Sequence, residues 1–276
     1  TADGRVLQAR VDEEDPSGRQ MGVYTDTRRV TVDFGLPGPG DIIRLRYRVD
    51  ATGERNLFGD FFGATEFAQD ALPRLRFFMV VEAPESRPLS TRSVGLPPAT
   101  VARANGTTVY RVEAGPLPPI ILEPLMPAYT DVGAYAVFSS YGSWEDMGRW
   151  YANLVRPQLV PDAALQEVTR RLVEDATTDA EKVRRIHRYV LERTRYVGIE
   201  LGIHGWKPYR VGQVHARGYG DCKDKASLMV AMFKLAGVDA RLVLLRTFDQ
   251  GTITDLPSMW HFNHAIAYVP SLDLFL

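Results

Sequence analysis

From residue 4 to about residue 140, apolar and polar positions alternate in short runs broken by Gly, Pro and Asn, the period of two expected of half-buried strands. In the run 41–50, Ile43, Leu45, Tyr47 and Val49 share one face, and Arg44, Arg46 and Arg48 share the other. A solvated strand face accounts for the arginine row without a ligand. Val30, Val32 and Phe34 alternate in the same way, and Asn105-Gly106, ahead of Val109 and Val112, is the dipeptide favoured in a type I′ hairpin. The pattern predicts an antiparallel, β-sandwich-like domain over residues 1–140. The Pro-rich stretch 115–127 is expected to run extended and to lead out of it.

Beyond that stretch the period becomes helical. Met147, Trp150, Tyr151 and Leu154 form one stripe, and Leu165, Val168, Thr169 and Leu172 form another. Thr178 and Glu181 read as a capping box opening a third helix, with Val183, Ile186, His187, Val190 and Leu191 on its inner side. His187 there reads as a core histidine. A further helix is predicted from Cys222 to a stop at Gly237, entered through Gly218 and Gly220 and capped by Asp221. Strands are expected over 239–247, 262–269 and 272–276, so residues 141–276 read as a second, α+β domain. A chain of 276 residues is long enough for two cores.

Composition narrows the function classes. Hydrophobic residues make up 45% of the chain and no run reaches the roughly 18 to 20 apolar residues of a membrane span. A net charge of -1 lacks the basic excess that nucleic acid attracts. The chain opens at Thr1 without Met or signal peptide, and reads as a trimmed one. The single cysteine excludes an internal disulfide and a multi-thiolate zinc site, and no cofactor is implied.

That cysteine, Cys222, would be the first residue of its helix, sharing a stripe with Ala226, Met229, Val230 and Phe233. Unpaired N–H groups at a helix start favour a thiolate and can bind an oxyanion. Lys223 and Lys225 reinforce this while Asp221 and Asp224 oppose it, so the direction of the pKa shift stays open. A small buried hydrophobe is the alternative reading. His264, at the start of a strand with Ile266 and Tyr268 on its face, is the candidate base, and His261 competes with it. A metal pair of the two histidines finds no third ligand nearby. Asp273 should lie about 20 Å from His264, at about 3.3 Å per residue, too far to orient it. The position facing His264 is expected just past Leu276.

Gly220-Asp-Cys-Lys-Asp-Lys-Ala226 with Phe262-Asn-His-Ala-Ile-Ala267 resembles the transglutaminase-like superfamily, whose core has a papain-type fold. The resemblance is closest to bacterial proteins in which a β-rich domain of unknown function precedes that core, and segments 143–151 and 195–202 share it. It implies a Cys-His-Asp site with Cys222 as nucleophile and His264 as base, the aspartate following the last strand, so that the domain reads as truncated at its C-terminal end. It further implies cysteine-dependent acyl transfer on a protein or peptide through a thioester, ending in hydrolysis or cross-linking, in the bacterial periplasm or cell envelope. The Cys222 N–H is the expected oxyanion donor, with Gln213, Trp206 and His215 as lesser candidates for the cleft. A catalytically incomplete binding or assembly module is the competing expectation.

Overall fold

The computed structural model describes residues 9–15, 22–35, 37–49, 61–251 and 256–276. Its first strands are β1 (Arg10–Glu14), β2 (Val23–Thr25) and β3 (Arg29–Asp33). They are followed by β4 (Gly63–Phe67), β5 (Phe77–Pro84), β6 (Ser90–Val94), β7 (Thr100–Ala104) and β8 (Thr107–Ala114). A short helix α1 (Tyr129–Val132) leads into β9 (Tyr135–Ser139). Among the described residues, β5, β8 and β7 make one antiparallel three-stranded sheet and β4, β9 and β6 another, while β1 pairs with β3. The predicted hairpin joins β7 to β8: Asn105 (φ 53°) and Gly106 (φ 75°) both take the left-handed conformation a type I′ turn demands.

Phe77, Tyr110 and Val112 from one sheet and Ala136 and Phe138 from the other share a core. This strand-rich region agrees with the predicted fold class. Two sequence expectations are corrected. Residues 41–49 form no strand with any described neighbour, and residues 42–49 are all exposed, Ile42 at 86% and Val49 at 83%. Alternation expresses a fit to a half-buried pleated surface, and without a ladder partner it fixes nothing. Asp50, the last residue of that run, lies outside the described residues. The Pro-rich stretch does run without regular structure, but it returns the chain to the first region: β9, buried at every position, is the central strand between β4 and β6. An uninterrupted apolar strand of this kind reads poorly by alternation.

The second half contains α2 (Trp144–Val155), α3 (Ala163–Leu172), α4 (Asp179–Arg193), β10 (Arg195–Tyr196), β11 (Gly198–Glu200), α5 (Val211–Arg217), β12 (Tyr219–Gly220), α6 (Cys222–Leu235), β13 (Arg241–Leu245), β14 (His264–Val269) and β15 (Leu274–Phe275). Side-chain caps start the helices: Ser143 accepts from Asp146 N, Asp162 from Leu165 N, Thr178 from Glu181 N and Asp221 from Asp224 N. The Glu181 carboxylate accepts from the N–H of Thr177 at 3.1 Å and also from that of Thr178, so the predicted capping box forms and reaches one residue further on its return side. His187 is half-buried on α4.

Helix α6 lies at the centre. Its buried residues run from Lys223 to Phe233, well beyond the single stripe predicted, because α3, α4 and α5 cover one side and β13 and β14 the other. A helix apolar on all sides belongs in such a position. Within it the Ser227 hydroxyl is fully buried without a hydrogen-bond partner among the described residues. Ser227→Ala is therefore expected to stabilise the fold by about 1 kcal/mol, from the desolvated hydroxyl and the helix propensity together, as a rise in the urea midpoint at constant slope.

The two halves are joined by more than chain connectivity. β2 pairs in parallel with β11, Ser139 Oγ donates to Pro257 O, and Thr130 Oγ1 donates to Gln250 O at 2.8 Å. Phe61 packs in one cluster with Met147, Tyr151, Val155 and Met259.

Candidate thiol site

The site is built where α6 starts against β14. Gly220, just before it, approaches Asp224 so closely that an added Cβ would lie 2.6 Å from the Asp224 Cβ, which requires glycine there. Asp224 itself is 1% exposed and holds the approach to Cys222 together: Oδ1 accepts from Tyr209 N at 2.8 Å, and Oδ2 accepts from Arg217 Nη2 at 2.8 Å. The Arg217 guanidinium is sandwiched between the Tyr209 and Tyr219 rings, 4.4 and 4.5 Å from their centroids. Lys223, also buried, pairs with Asp221 and lies 3.6 Å from Glu200 Oε1. Burial raises the Glu200 pKa against the opposing Lys223 charge. Lys225 Nζ donates to Thr194 O at 3.0 Å, fastening the first turn of α6 to the end of α4. The charges around Cys222 are thus largely spent on fixing the helix start.

Cys222 opens α6, as the sequence predicts, and lines a cavity of about 560 Å³ with His264, Trp206, Trp260, Phe262 and Tyr151. Its sulfur accepts from the Ala265 N–H and from the Tyr196 hydroxyl, and that hydroxyl in turn accepts from the Cys222 N–H. Tyr196 therefore stands beside the expected oxyanion donor, a placement sequence reasoning missed because nothing in a single tyrosine of a short strand announces it. The bond from Ala265 sets the start of β14 against the sulfur. Ala265 is buried and His264, its neighbour, is half-buried and faces the cavity, where its ring makes no hydrogen bond among the described residues.

Burial is the main cause that pushes the Cys222 thiol above its ordinary pKa, Asp221 adds to it, and Lys223 with the two hydrogen bonds works the other way. That direction favours the thiol over the thiolate in the resting site. Removing the Tyr196 hydroxyl takes away a donor that favours the charged form, so Tyr196→Phe should move the pH midpoint of Cys222 alkylation further up from a wild-type value already above that of free cysteine. A downward movement, followed by rates of iodoacetamide alkylation from pH 7 to 11, contradicts this assignment of the hydrogen bond.

The competing histidine is placed elsewhere. His261 is buried, its Nε2 donating to Leu256 O at 2.9 Å, and burial lowers its pKa. It does not line the cavity. Trp206 does, and its carbonyl accepts from the Tyr151 hydroxyl at 3.2 Å. Gln213 is not brought to the site: α5 turns Val211 and Val214 inward and leaves Gln213 exposed on its other side. His215 lies on Tyr189, its Nε2 2.8 Å from that hydroxyl. Asp273 sits in the turn before β15 and accepts from the Tyr268 hydroxyl at 3.0 Å. No cluster of three potential metal ligands occurs among the described residues.

Comparison with known proteins bears on the fold that carries this site. Residues 166–270 match the family model of the transglutaminase-like superfamily. They form a transglutaminase-like domain. Residues 1–121 match a domain of unknown function of solved structure, DUF3857. The sheet of that region extends past the match, since its central strand β9 ends at Ser139. No curated protein matches the chain. Among solved structures, a proposed protease from Parabacteroides distasonis superposes with a TM-score of 0.65 at 19% identity over 79% of this chain. This chain spans 43% of that protein's length. A proposed cysteine protease from Cytophaga hutchinsonii matches with a TM-score of 0.33 at 12% identity, over 76% of this chain and 74% of its own. At 79% of this chain, the first likeness is broader than the 166–270 match and shows a shared fold.

Proposed function

We propose that the chain is a cysteine-dependent acyl-transfer enzyme acting on carboxamide or peptide bonds of a protein or peptide. The observation that supports this most is the meeting of Cys222 and His264 in one cavity at the start of a buried helix, with N–H and hydroxyl donors about the sulfur. Because burial keeps the thiol protonated, the nucleophile has to be made during the reaction. His264 takes the thiol proton as the sulfur bonds to the carbonyl carbon. The tetrahedral oxyanion is held by the Cys222 N–H, which the Tyr196 hydroxyl releases or joins as a second donor. The C–N bond then breaks and the amine leaves with the proton from His264, giving a thioester. Attack by water returns the acid and the thiol. Attack by an amine instead gives a new amide.

Transient hydrogen bonds of this sort are often loose without substrate and tighten around it, which is consistent with the uncommitted His264 ring. The test is to trap the thioester. An activated ester or anilide of a short peptide is mixed with the protein, quenched in acid and examined by mass spectrometry. An acyl adduct on Cys222 that hydroxylamine removes is the expected result. The raised thiol pKa and the free His264 ring also favour a second reading, a transglutaminase-like fold used to bind a partner. Recovery of unmodified Cys222 throughout the time course would leave that reading in place of the enzyme.

A further inference from the structure

The wall of the Cys222 cavity is shared between the two halves of the chain. β2 pairs with β11 from Val23 opposite Gly198 to Thr25 opposite Glu200, and the loop that follows carries Thr25, Asp26 and Thr27 onto the cavity. Asp26 Oδ2 accepts from Gly202 N at 2.8 Å, which fixes the loop but leaves the carboxylate charge in place. Glu200 ends β11 on the same wall. The cationic side chain lining the cavity is Lys223, and its charge is shared between buried Asp221 and Glu200, whose Oε1 lies 3.6 Å away. One cation thus stands among three carboxyl groups, so the ionised Asp26, with Glu200 adding to it when it too is ionised, gives the cavity an excess of negative charge. The lining also holds indole and phenyl rings: Trp206 and Trp260 meet edge to face with centroids 5.8 Å apart, and Phe262 lines the cavity as well.

Carboxylates and aromatic rings lining one partly enclosed space complement a cation carried on an apolar stem, since the ring faces and the carboxylates attract the charge and the rings cover the stem. We propose that this cavity is a subsite for a cationic side chain, so that the substrate of Cys222 is a peptide or protein whose reacting carboxamide lies beside a lysine-like or arginine-like group. Asp26 makes the N-terminal half a part of that subsite. The proposal rests on the acyl-transfer reading for the identity of the reacting bond, but its charge selection is measurable without turnover.

The probes are two methanethiosulfonates of similar size, one carrying trimethylammonium and the other sulfonate. In both, the Cys222 thiolate attacks the sulfenyl sulfur, a disulfide forms and methanesulfinate leaves. Rates are measured at pH 9 and expressed as the cation-to-anion ratio divided by the same ratio for free cysteine. A normalised ratio of about ten or more is expected for the natural chain, from focusing of the field in a cleft. It should fall severalfold in Asp26→Asn, which keeps the hydrogen bond to Gly202, and approach one when Glu200→Gln is added. Raising the salt concentration tenfold should also lower it. A ratio near one in the natural chain, a ratio indifferent to Asp26→Asn, or a Cys222 that neither reagent reaches overturns the proposal. Thioester trapping that succeeds beside a ratio near one removes the cationic subsite and leaves the enzyme. A high ratio without a trapped thioester leaves a cation-binding cavity and removes the enzyme.

Discussion

His264→Ala should lower turnover of a carboxamide substrate by about 10³- to 10⁴-fold, roughly 4 to 5.5 kcal/mol of transition-state stabilisation, with little change in KM. The size follows from the state of the sulfur. A thiolate already formed by its surroundings could attack without help, but burial and Asp221 hold Cys222 in its protonated form, so nearly all the reaction depends on a base that can take the proton. His264 is the histidine lining the cavity. Its half-buried ring makes no hydrogen bond among the described residues, so removing it should leave stability within about 0.5 kcal/mol. At pH 10 and above, where hydroxide forms the thiolate, iodoacetamide should alkylate this variant about as fast as the natural chain. His261→Ala gives the opposite pattern: loss of a buried ring bonded to Leu256 lowers stability while turnover per folded molecule persists. Undiminished turnover in His264→Ala, or its loss in a well-folded His261→Ala, removes His264 as the base.

The choice between those histidines shows where sequence stops. His264 opens the strand and His261 lies three residues ahead of it. His264 pairs with Leu245 in the sheet and opens on the cavity, while His261 sits in a short 3-10 turn and folds back on its own loop. The helix beginning at Cys222 was legible because its signals are local: a capping aspartate, a run of apolar residues and a left-handed Gly237 at its end. The hairpin at Asn105-Gly106 was legible for the same reason. What was hidden depends on partners distant in sequence. β9 is continuous apolar sequence that only its two neighbours define as a strand, and the 41–49 alternation has no described partner to realise it. Tyr196 reaches the sulfur across the β10–β12 pairing, and Asp26 reaches the cavity through the pairing of β2 with β11, whose partners lie 175 residues apart in the chain. No motif within either segment announces such a contact. Gln213 failed as a cleft residue because its helix is too short to show a clear stripe, and two buried valines decide which side faces in.

Asp224→Ala should be the most damaging substitution to the fold, at about 3 to 5 kcal/mol, read as a fall in the urea midpoint or in Tm. Asp224 is 1% exposed and its two oxygens serve two different groups, the Tyr209 N–H and the Arg217 guanidinium. Alanine removes both partners at once. The Arg217 side chain, 19% exposed and held between two tyrosine rings, would keep its charge without a counter-ion, and that uncompensated charge accounts for most of the effect. Burial raises the pKa of Asp224, with Asp221 adding to it, while the Tyr209 N–H, Lys223 and Arg217 oppose the shift. A carboxyl whose folded pKa lies above its unfolded value favours the folded state most below the unfolded value near 4 and loses that contribution as pH rises through the folded value. The Asp224→Ala difference should therefore not shrink on mild acidification from pH 7 to 5, unlike that of a carboxylate held down by its ion pair. Asp224→Asn separates the parts: its amide oxygen can still accept from one donor, so it should recover part of the loss but leave Arg217 unpaired. Since a Cβ at Gly220 would meet the Asp224 Cβ at 2.6 Å, an atom alanine keeps, Asp224→Ala should not rescue Gly220→Ala, whereas Asp224→Gly should tolerate it far better than the natural chain does, a coupling of 1 kcal/mol or more by rough expectation for residues in contact. Additive effects of Gly220→Ala and Asp224→Gly would mean that Gly220 answers to something other than Asp224, and that the approach to Cys222 is held by different contacts.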